Sequence, residues 1–395
     1  MSNYFRDTVY KAIYDNSKNH EHGYFNCIPF EGMDKLEKLL PGIEQDTYYI
    51  ITASSGVGKS KLMRHLFIHT PWAYTIRNPQ HGVELDIYYF SLEESKHKVV
   101  LSEISKYLYK TYDKVVSIKQ LQSKGRYNYL DPETLEQVKE AEDYINAFLE
   151  KVRIIDDVRS PSAIFSYMRR VAARTGRFYD RFGRPFTDIE QAEVANGNPD
   201  VMSKIGSYKR NNPKHYIIVI VDHVSLLIPE TVGGKMLTQW QTISKFSSEY
   251  CIAMRDKYGF IPVVVQQQAA AKEQIEVNYK GQTIEEKLEP SLDGLGDNKT
   301  TQRDANVILG LFSPHRYRIE QHRDYDINFW RNNYRSLSIL KDRDGETDGI
   351  LPLFFNGAVD YFKEMPDNKN PAEAADLSRL MQEINNIRRE RKENV

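Results

Sequence analysis

Residues Thr47–Ser60 read TYYIITASSGVGKS, and the reading of this stretch decides the fold. The apolar run Thr47 to Thr52 reads as a buried strand, and Lys59 to Ile68 reads as a helix. Between them, Ala53 to Ser60 fits a phosphate-binding loop with Ala in place of its first Gly. In such a loop the backbone N–H groups of Gly56 to Ser60 cradle phosphates at a helix start. Gly58 lets the backbone approach closely. Lys59 reaches the β- and γ-phosphates, and the Ser60 hydroxyl helps hold Mg²⁺. Ser55, Gly56, Val57, Gly58, Lys59, Ser60 and Lys61 are therefore the candidate residues for binding ATP. A plain Gly/Ser turn is the bland alternative, but the strand-then-helix context favours the nucleotide site.

Outward from this loop, apolar runs alternate with helical patterns. Asp86 to Ser91, Arg153 to Ile155, Tyr216 to Val221, Phe260 to Val265, Ala305 to Phe312 and Ser336 to Leu340 read as strands, and Gly349 to Phe355 completes a hairpin. Helices are expected over Pro132–Glu150, with Leu135, Val138, Ile145 and Leu149 on one face, and over Ser162–Arg174 and Gln239–Tyr258. This alternation implies α/β: a mostly parallel central sheet flanked by helices, with ligands beyond the carboxyl ends of the strands. Two carboxylates fall at such ends. Asp222 closes the run VIVD and is the candidate second metal-side residue beside Ser60. Glu93, in FSLEES, can orient and deprotonate a water, or can simply favour a helix start.

The composition fits a globular chain of 395 residues. Its 54 Lys and Arg against 55 Asp and Glu argue against binding nucleic acid by bulk charge. Cys27 and Cys251 make neither a disulfide framework nor a zinc site, and reduced thiols of a cytoplasmic protein are the expectation. No apolar run is long enough to span a membrane. Residues 1–30 are expected as an N-terminal arm with a short helix (Phe5, Val9, Ile13, Tyr14) followed by a polar loop from Asn16 to Gly23. The main domain is expected over 31–365 and a helical tail over 366–395, with Leu377, Leu380, Met381, Ile384 and Ile387 on one side. Residues 175–214, polar and rich in Gly, Asn, Arg and aromatics, read as an inserted loop, either solvated or set against a subunit or a single strand. His315 and His322 read as solvated hairpin positions. Lys341 and Arg343, in LKDRDG, read either as a solvated hairpin tip or as cations for a neighbour's phosphates.

Taken in order, these pieces resemble the motor domain of DnaB-type replicative helicases. The resemblance runs from about Gly32 to Phe355, through GMDKLEKLLPGIEQDTYYIITASSGVGKS, YYFSLEES, IIDD at 154–157, IVIVDHVSLL, IPVVVQQQ, TTQRDANVILGLF and SILKDRDGETDGILPLFF. It implies a RecA-like P-loop NTPase that uses ATP and Mg²⁺ to drive 5′ to 3′ movement on single-stranded DNA, as a homohexameric ring. It implies that Glu93 is the catalytic base, Asp222 the Walker B carboxylate and Gln268 the γ-phosphate sensor. Gln266 and Gln267 leave a slip in that last assignment open. Lys341 and Arg343 match the pair acting in trans, with Arg343 as the finger. The DNA-contacting loop matches Gly296 to Thr300, with Asn298 and Lys299 as the candidate contacts. Gly296 stands where the family has an Arg, and Ala269 to Ala271 stand where it has a polar and basic pair, which bears on DNA affinity. The resemblance adds a primase or helicase loader as candidate partners. The family's primase-facing helical domain is expected here only as the short arm, a plan that suits a bacteriophage or plasmid. Two rival readings remain: a RecA- or RadA-like recombinase, and an ATP-dependent accessory module that binds protein and not DNA.

Overall fold

The computed structural model describes residues 3–268, 288–295, 299–347 and 349–393. One nine-stranded sheet organises them. Its strands are β1 (Tyr49–Ala53), β2 (Glu84–Ser91), β3 (Val152–Ile155), β4 (His215–Asp222), β5 (Ile261–Gln267), β6 (Val307–Phe312), β7 (Tyr334–Asp342), β8 (Ile350–Asn356) and β9 (Tyr361–Glu364). Their spatial order is β9-β8-β7-β6-β1-β5-β4-β2-β3. The six strands from β6 to β3 are parallel, and β7, β8 and β9 extend the sheet antiparallel. The parallel strands are apolar on both faces because helices cover both. Two large apolar clusters result, one on each side.

The sheet orders its two edges by register. Ala53 pairs with Gln267, Ser91 with Asp222, and Asp222 with Val265, so four strand ends meet at one carboxyl edge. At the other edge Asp342 pairs with Val307, which is level with Tyr49.

After the loop, one unbroken helix runs from Lys59 to Arg77. It widens to a π-turn at His65–His69, just before Pro71. Proline has no N–H to donate back into the helix, and a wider turn absorbs that missing bond.

Several expectations change. The N-terminal helix continues through Asn16 to Glu21, where a loop was expected, and buries no residue of its own. The 132–150 helix breaks at Ala141, and its buried positions are Thr134, Ala141 and Phe148, while Leu135 is exposed. A seven-residue step selected those small and aromatic positions over the aliphatic ones. The inserted stretch is folded. Gly176–Asp180 pairs antiparallel with Ile205–Arg210, and helix Asp188–Asn196 carries a Thr187/Glu190 capping box. Phe178, Phe186 and Val194 are fully buried in the cluster that lines the main sheet. Arg177 pairs with Asp188, and Arg184 with Asp180 and Glu190. The residues that suggested a polar loop are therefore its core and its staples, and only Phe182, at the turn, stands out fully exposed. His322 is buried too, bridging the Tyr334 hydroxyl and Glu289 at 2.8 Å each.

The terminal helix Ala374–Glu393 packs through Leu380 and Ile384. Cys27 and Cys251 are both buried and unpaired. Among the described residues, no helix is long and apolar enough to cross a membrane.

Candidate functional site

The site is built on the carboxyl edge, where β1 turns into the long helix. Gly56 and Gly58 take left-handed backbone conformations, φ 73° and 112°. A Cβ on Gly58 would also stand 3.3 Å from the Phe355 ring. Glycine at these two positions lets the backbone fold into a cradle that other residues would strain. Lys59 starts the helix, is buried, and donates to the Ser54 carbonyl at 3.4 Å. Burial lowers its pKa, against the opposing pull of Asp222 and Glu93. Val57 is held from behind by Arg335, whose Nε donates to its carbonyl at 2.7 Å.

Ser60 Oγ donates to Asp222 Oδ1 at 3.0 Å, and the Tyr89 hydroxyl donates to Oδ2 at 3.0 Å. Burial raises the Asp222 pKa, and the Ser60 bond opposes the rise. Two hard oxygens are thus paired at the head of the helix. Mg²⁺ suits this set, since it takes few protein ligands and keeps waters and substrate phosphates as the rest. Among the described residues no group of three His, Cys, Asp or Glu converges for a metal, which suits an ion shared with a nucleotide.

Glu93 follows β2 and is exposed, with its Oε2 3.7 Å from His223 Nε2. Its turn is pinned on both sides. Leu92 N–H donates to the Asp222 carbonyl at 2.7 Å, and Ser91 Oγ donates to the Glu94 carbonyl at 2.6 Å. Gln268 is buried one residue past β5, donating to Thr52 Oγ1 at 3.1 Å and to the Ser291 carbonyl at 3.4 Å. Gln266 donates to the Leu295 carbonyl at 3.2 Å, while Gln267 is exposed on the other face. Both buried glutamines therefore tie the phosphate edge to the 291–295 turn.

The remaining candidates lie apart. The Lys61 side chain leaves the loop for Asp360, at 2.7 Å, and the Gly357 carbonyl. Lys341 and Arg343 end β7 on the opposite edge. Lys341 donates to the carbonyls of Gln302, Arg303 and Ala305, and Arg343 to that of Arg303, closing the end of helix Lys299–Asp304. Along the strand direction that edge is about 13 Å from the end of β1. Asn298, Gly296 and Ala269 to Ala271 lie outside the described residues, as does the side chain of Lys299.

The sequence reading missed a buried ion network beneath the site. Arg64 donates through Nε and Nη2 to Asp360 at 3.0 and 2.6 Å, and through Nη1 to Glu94 at 2.8 Å. Ser102 also donates to Asp360, at 2.8 Å. These cations hold the Asp360 carboxyl far below the usual range despite its burial. Arg64 lies one helical turn past Ser60, a signal visible in the sequence. Asp360, nearly three hundred residues on, gave none.

No protein-family model and no curated protein sequence matches the chain. Among solved structures it is similar to the ATPase domain of a phage helicase, with TM-score 0.60 and 17% identity over 91% of this chain and 99% of that one. It is also similar to a DnaB-like replicative helicase whose structure was described with its primase interactions, with TM-score 0.57 and 17% identity over 90% of this chain and 66% of that one. The fold is accordingly that of the RecA-like ATPase domains of DnaB-like helicases.

Proposed function

We propose that this chain is an ATP-driven replicative DNA helicase that moves on single-stranded DNA and unwinds duplex DNA. The observation that carries the reading is the division of the site between two edges of one sheet. The carboxyl edge has the cradle, Lys59, the Ser60–Asp222 pair and Glu93. The cations that match the finger pair stand on the far edge, beyond reach of their own loop. Such a chain completes its site only with a neighbour, which supports a ring-shaped homohexamer.

In this mechanism the amides of Ser55 to Lys61 and the Lys59 ammonium bind and orient the triphosphate of ATP. Mg²⁺ held by Ser60 and Asp222 would neutralise charge on the phosphates. Glu93 orients a water and accepts its proton as the water's oxygen bonds to the γ-phosphorus. The bond to the β-γ bridging oxygen breaks, leaving ADP and phosphate. Arg343 of the adjacent subunit, with Lys341, stabilises the equatorial oxygens in the transition state. Gln268 senses the γ-phosphate and passes its loss through the 291–295 turn toward Asn298 and Lys299, which contact the single strand. Tyr4, Phe5, Tyr10, Ile13 and Tyr14 on the N-terminal helix are exposed, and this apolar face fits packing on the next subunit. Polarity, taken from the family resemblance, is 5′ to 3′. A primase or a helicase loader is the further partner.

The deciding experiment is strand displacement on forked duplexes with ATP and Mg²⁺, comparing 5′- and 3′-tailed substrates, with Lys59→Ala as control. Displacement from the 5′-tailed fork, lost in the variant, is expected. ATP hydrolysis that ignores single-stranded DNA, with no displacement on either fork even when a loader is supplied, would sink the helicase reading.

A further inference from the structure

The turn that follows β6 was read from sequence as a solvated hairpin, yet it lies across the phosphate loop. β6 neighbours β1 and ends on the same carboxyl edge. Its continuation, the turn Pro314–Tyr317, therefore meets residues 54–56 of the same chain. Three contacts define the approach. The Tyr317 hydroxyl and Ser54 Oγ share a hydrogen bond at 3.1 Å. The Arg316 guanidinium donates to the Ser55 carbonyl. Its Nη1 also stands 3.7 Å from where a Gly56 Cβ would be. The Tyr317 ring is stacked on Phe312, the last residue of β6, at 5.6 Å between centroids and 16° between planes. The turn thus has an aromatic anchor in the sheet and a hydroxyl on the loop, and it sets its cation at the lip.

We infer that Arg316 is a second phosphate-binding residue of the nucleotide site, supplied in cis, and that Tyr317 is the residue that positions it. The inference rests on the nucleotide-site reading above and adds a residue to it. A guanidinium prefers phosphate oxygens to a neutral carbonyl, because charge-assisted bonds are stronger and its fork fits two oxygens at once. Arg316 also faces the same space as Lys59, since its charge is among the influences that disfavour protonation of that ammonium. A triphosphate between the two cations relieves that repulsion. Arg316 and the trans residue Arg343 would then divide the work: Arg316 holds the ground state, and Arg343 acts on the transition state.

The test is equilibrium binding of ATP and of inorganic tripolyphosphate to the wild type, Arg316→Ala, Arg316→Lys, Tyr317→Phe and Lys59→Ala. Arg316 is exposed, so its variants keep the fold, and thermal melts serve as the check. Arg316→Ala is expected to weaken both ligands equally, by about tenfold, the scale of one charge-assisted bond. Arg316→Lys should recover part of the loss. Tyr317→Phe, which keeps the ring stack, should weaken both ligands by a smaller factor. In steady-state hydrolysis the Arg316→Ala effect should fall on KM more than on kcat. Unchanged affinity for both ligands in Arg316→Ala, with binding lost in Lys59→Ala, would overturn the inference and leave the nucleotide site standing. Weakened ATP with unchanged tripolyphosphate would also overturn it, since Arg316 would then touch the base. Unchanged binding in Lys59→Ala would overturn the site itself.

Discussion

The two edges of the sheet carry cations of opposite character. At the carboxyl edge, Lys59 and Arg316 crowd around a cradle with a metal-fitting oxygen pair and an exposed carboxylate beside it. At the amino edge, Lys341 and Arg343 are tied to the carbonyl end of a short helix and face no cradle of their own chain. The first edge is equipped to bind and the second to complete. The difference teaches that binding and turnover should come apart under mutation, and each prediction presses on that separation.

The largest effect should come from the amino edge. Arg343→Ala should lower kcat by about 10³-fold or more, the worth of a trans arginine, and leave ATP affinity intact. Mixing it with Lys59→Ala subunits should restore part of the activity, because each variant lacks what the other keeps. Equal loss of binding and turnover in Arg343→Ala would break the comparison. Next, Glu93→Gln should lower kcat by about 10²- to 10⁴-fold while nucleotide still binds, as expected for removal of a general base. Single-turnover hydrolysis set against equilibrium binding separates the two.

Beneath the carboxyl edge, Asp360→Asn should destabilise the fold by about 3–5 kcal/mol, since it leaves Arg64 buried without its main partner. Denaturant titration measures this. The pH dependence has a definite sign. Because the folded carboxyl is held low, its contribution is present above the ordinary carboxylate value of about 4 and is lost as pH falls below it. The variant should therefore show a flatter acid limb. The smallest effect is expected from Tyr89→Phe. It removes one hydrogen bond to Asp222, costs about 1 kcal/mol, and should reduce turnover only a few-fold.

How much of this was legible follows from distance along the chain. The cradle is a local object: eight consecutive residues between a strand and a helix, with glycine where φ turns positive. The parallel strands are continuous apolar runs, so they too can be read locally. The division between edges could not be read that way. It depends on β7 running antiparallel, so that Asp342 pairs with Val307 at the far end. Arg64 and Asp360, or Ser54 and Tyr317, meet only because the sheet brings β1, β6 and the β8–β9 turn together. The insertion misled for another reason. Its core is three apolar residues, Phe178, Phe186 and Val194, spaced among charges that pair with one another, so composition reads as solvated where packing is dense. Leu135 failed similarly, since helical spacing finds a stripe but not which stripe the neighbours cover.

The two buried cysteines have a practical consequence. Burial pushes the Cys27 thiol up to about 12 and raises Cys251 as well, so neither is a ready thiolate at neutral pH. The native chain is therefore nearly silent toward maleimides, and a single cysteine introduced at an exposed point becomes an address for a dye. Phe182, at the turn of the insertion, is one such point. Residue 14 on the unpartnered helix is another. A donor at one and an acceptor at the other, on separate copies of the chain, would report how subunits meet without rebuilding the native thiols.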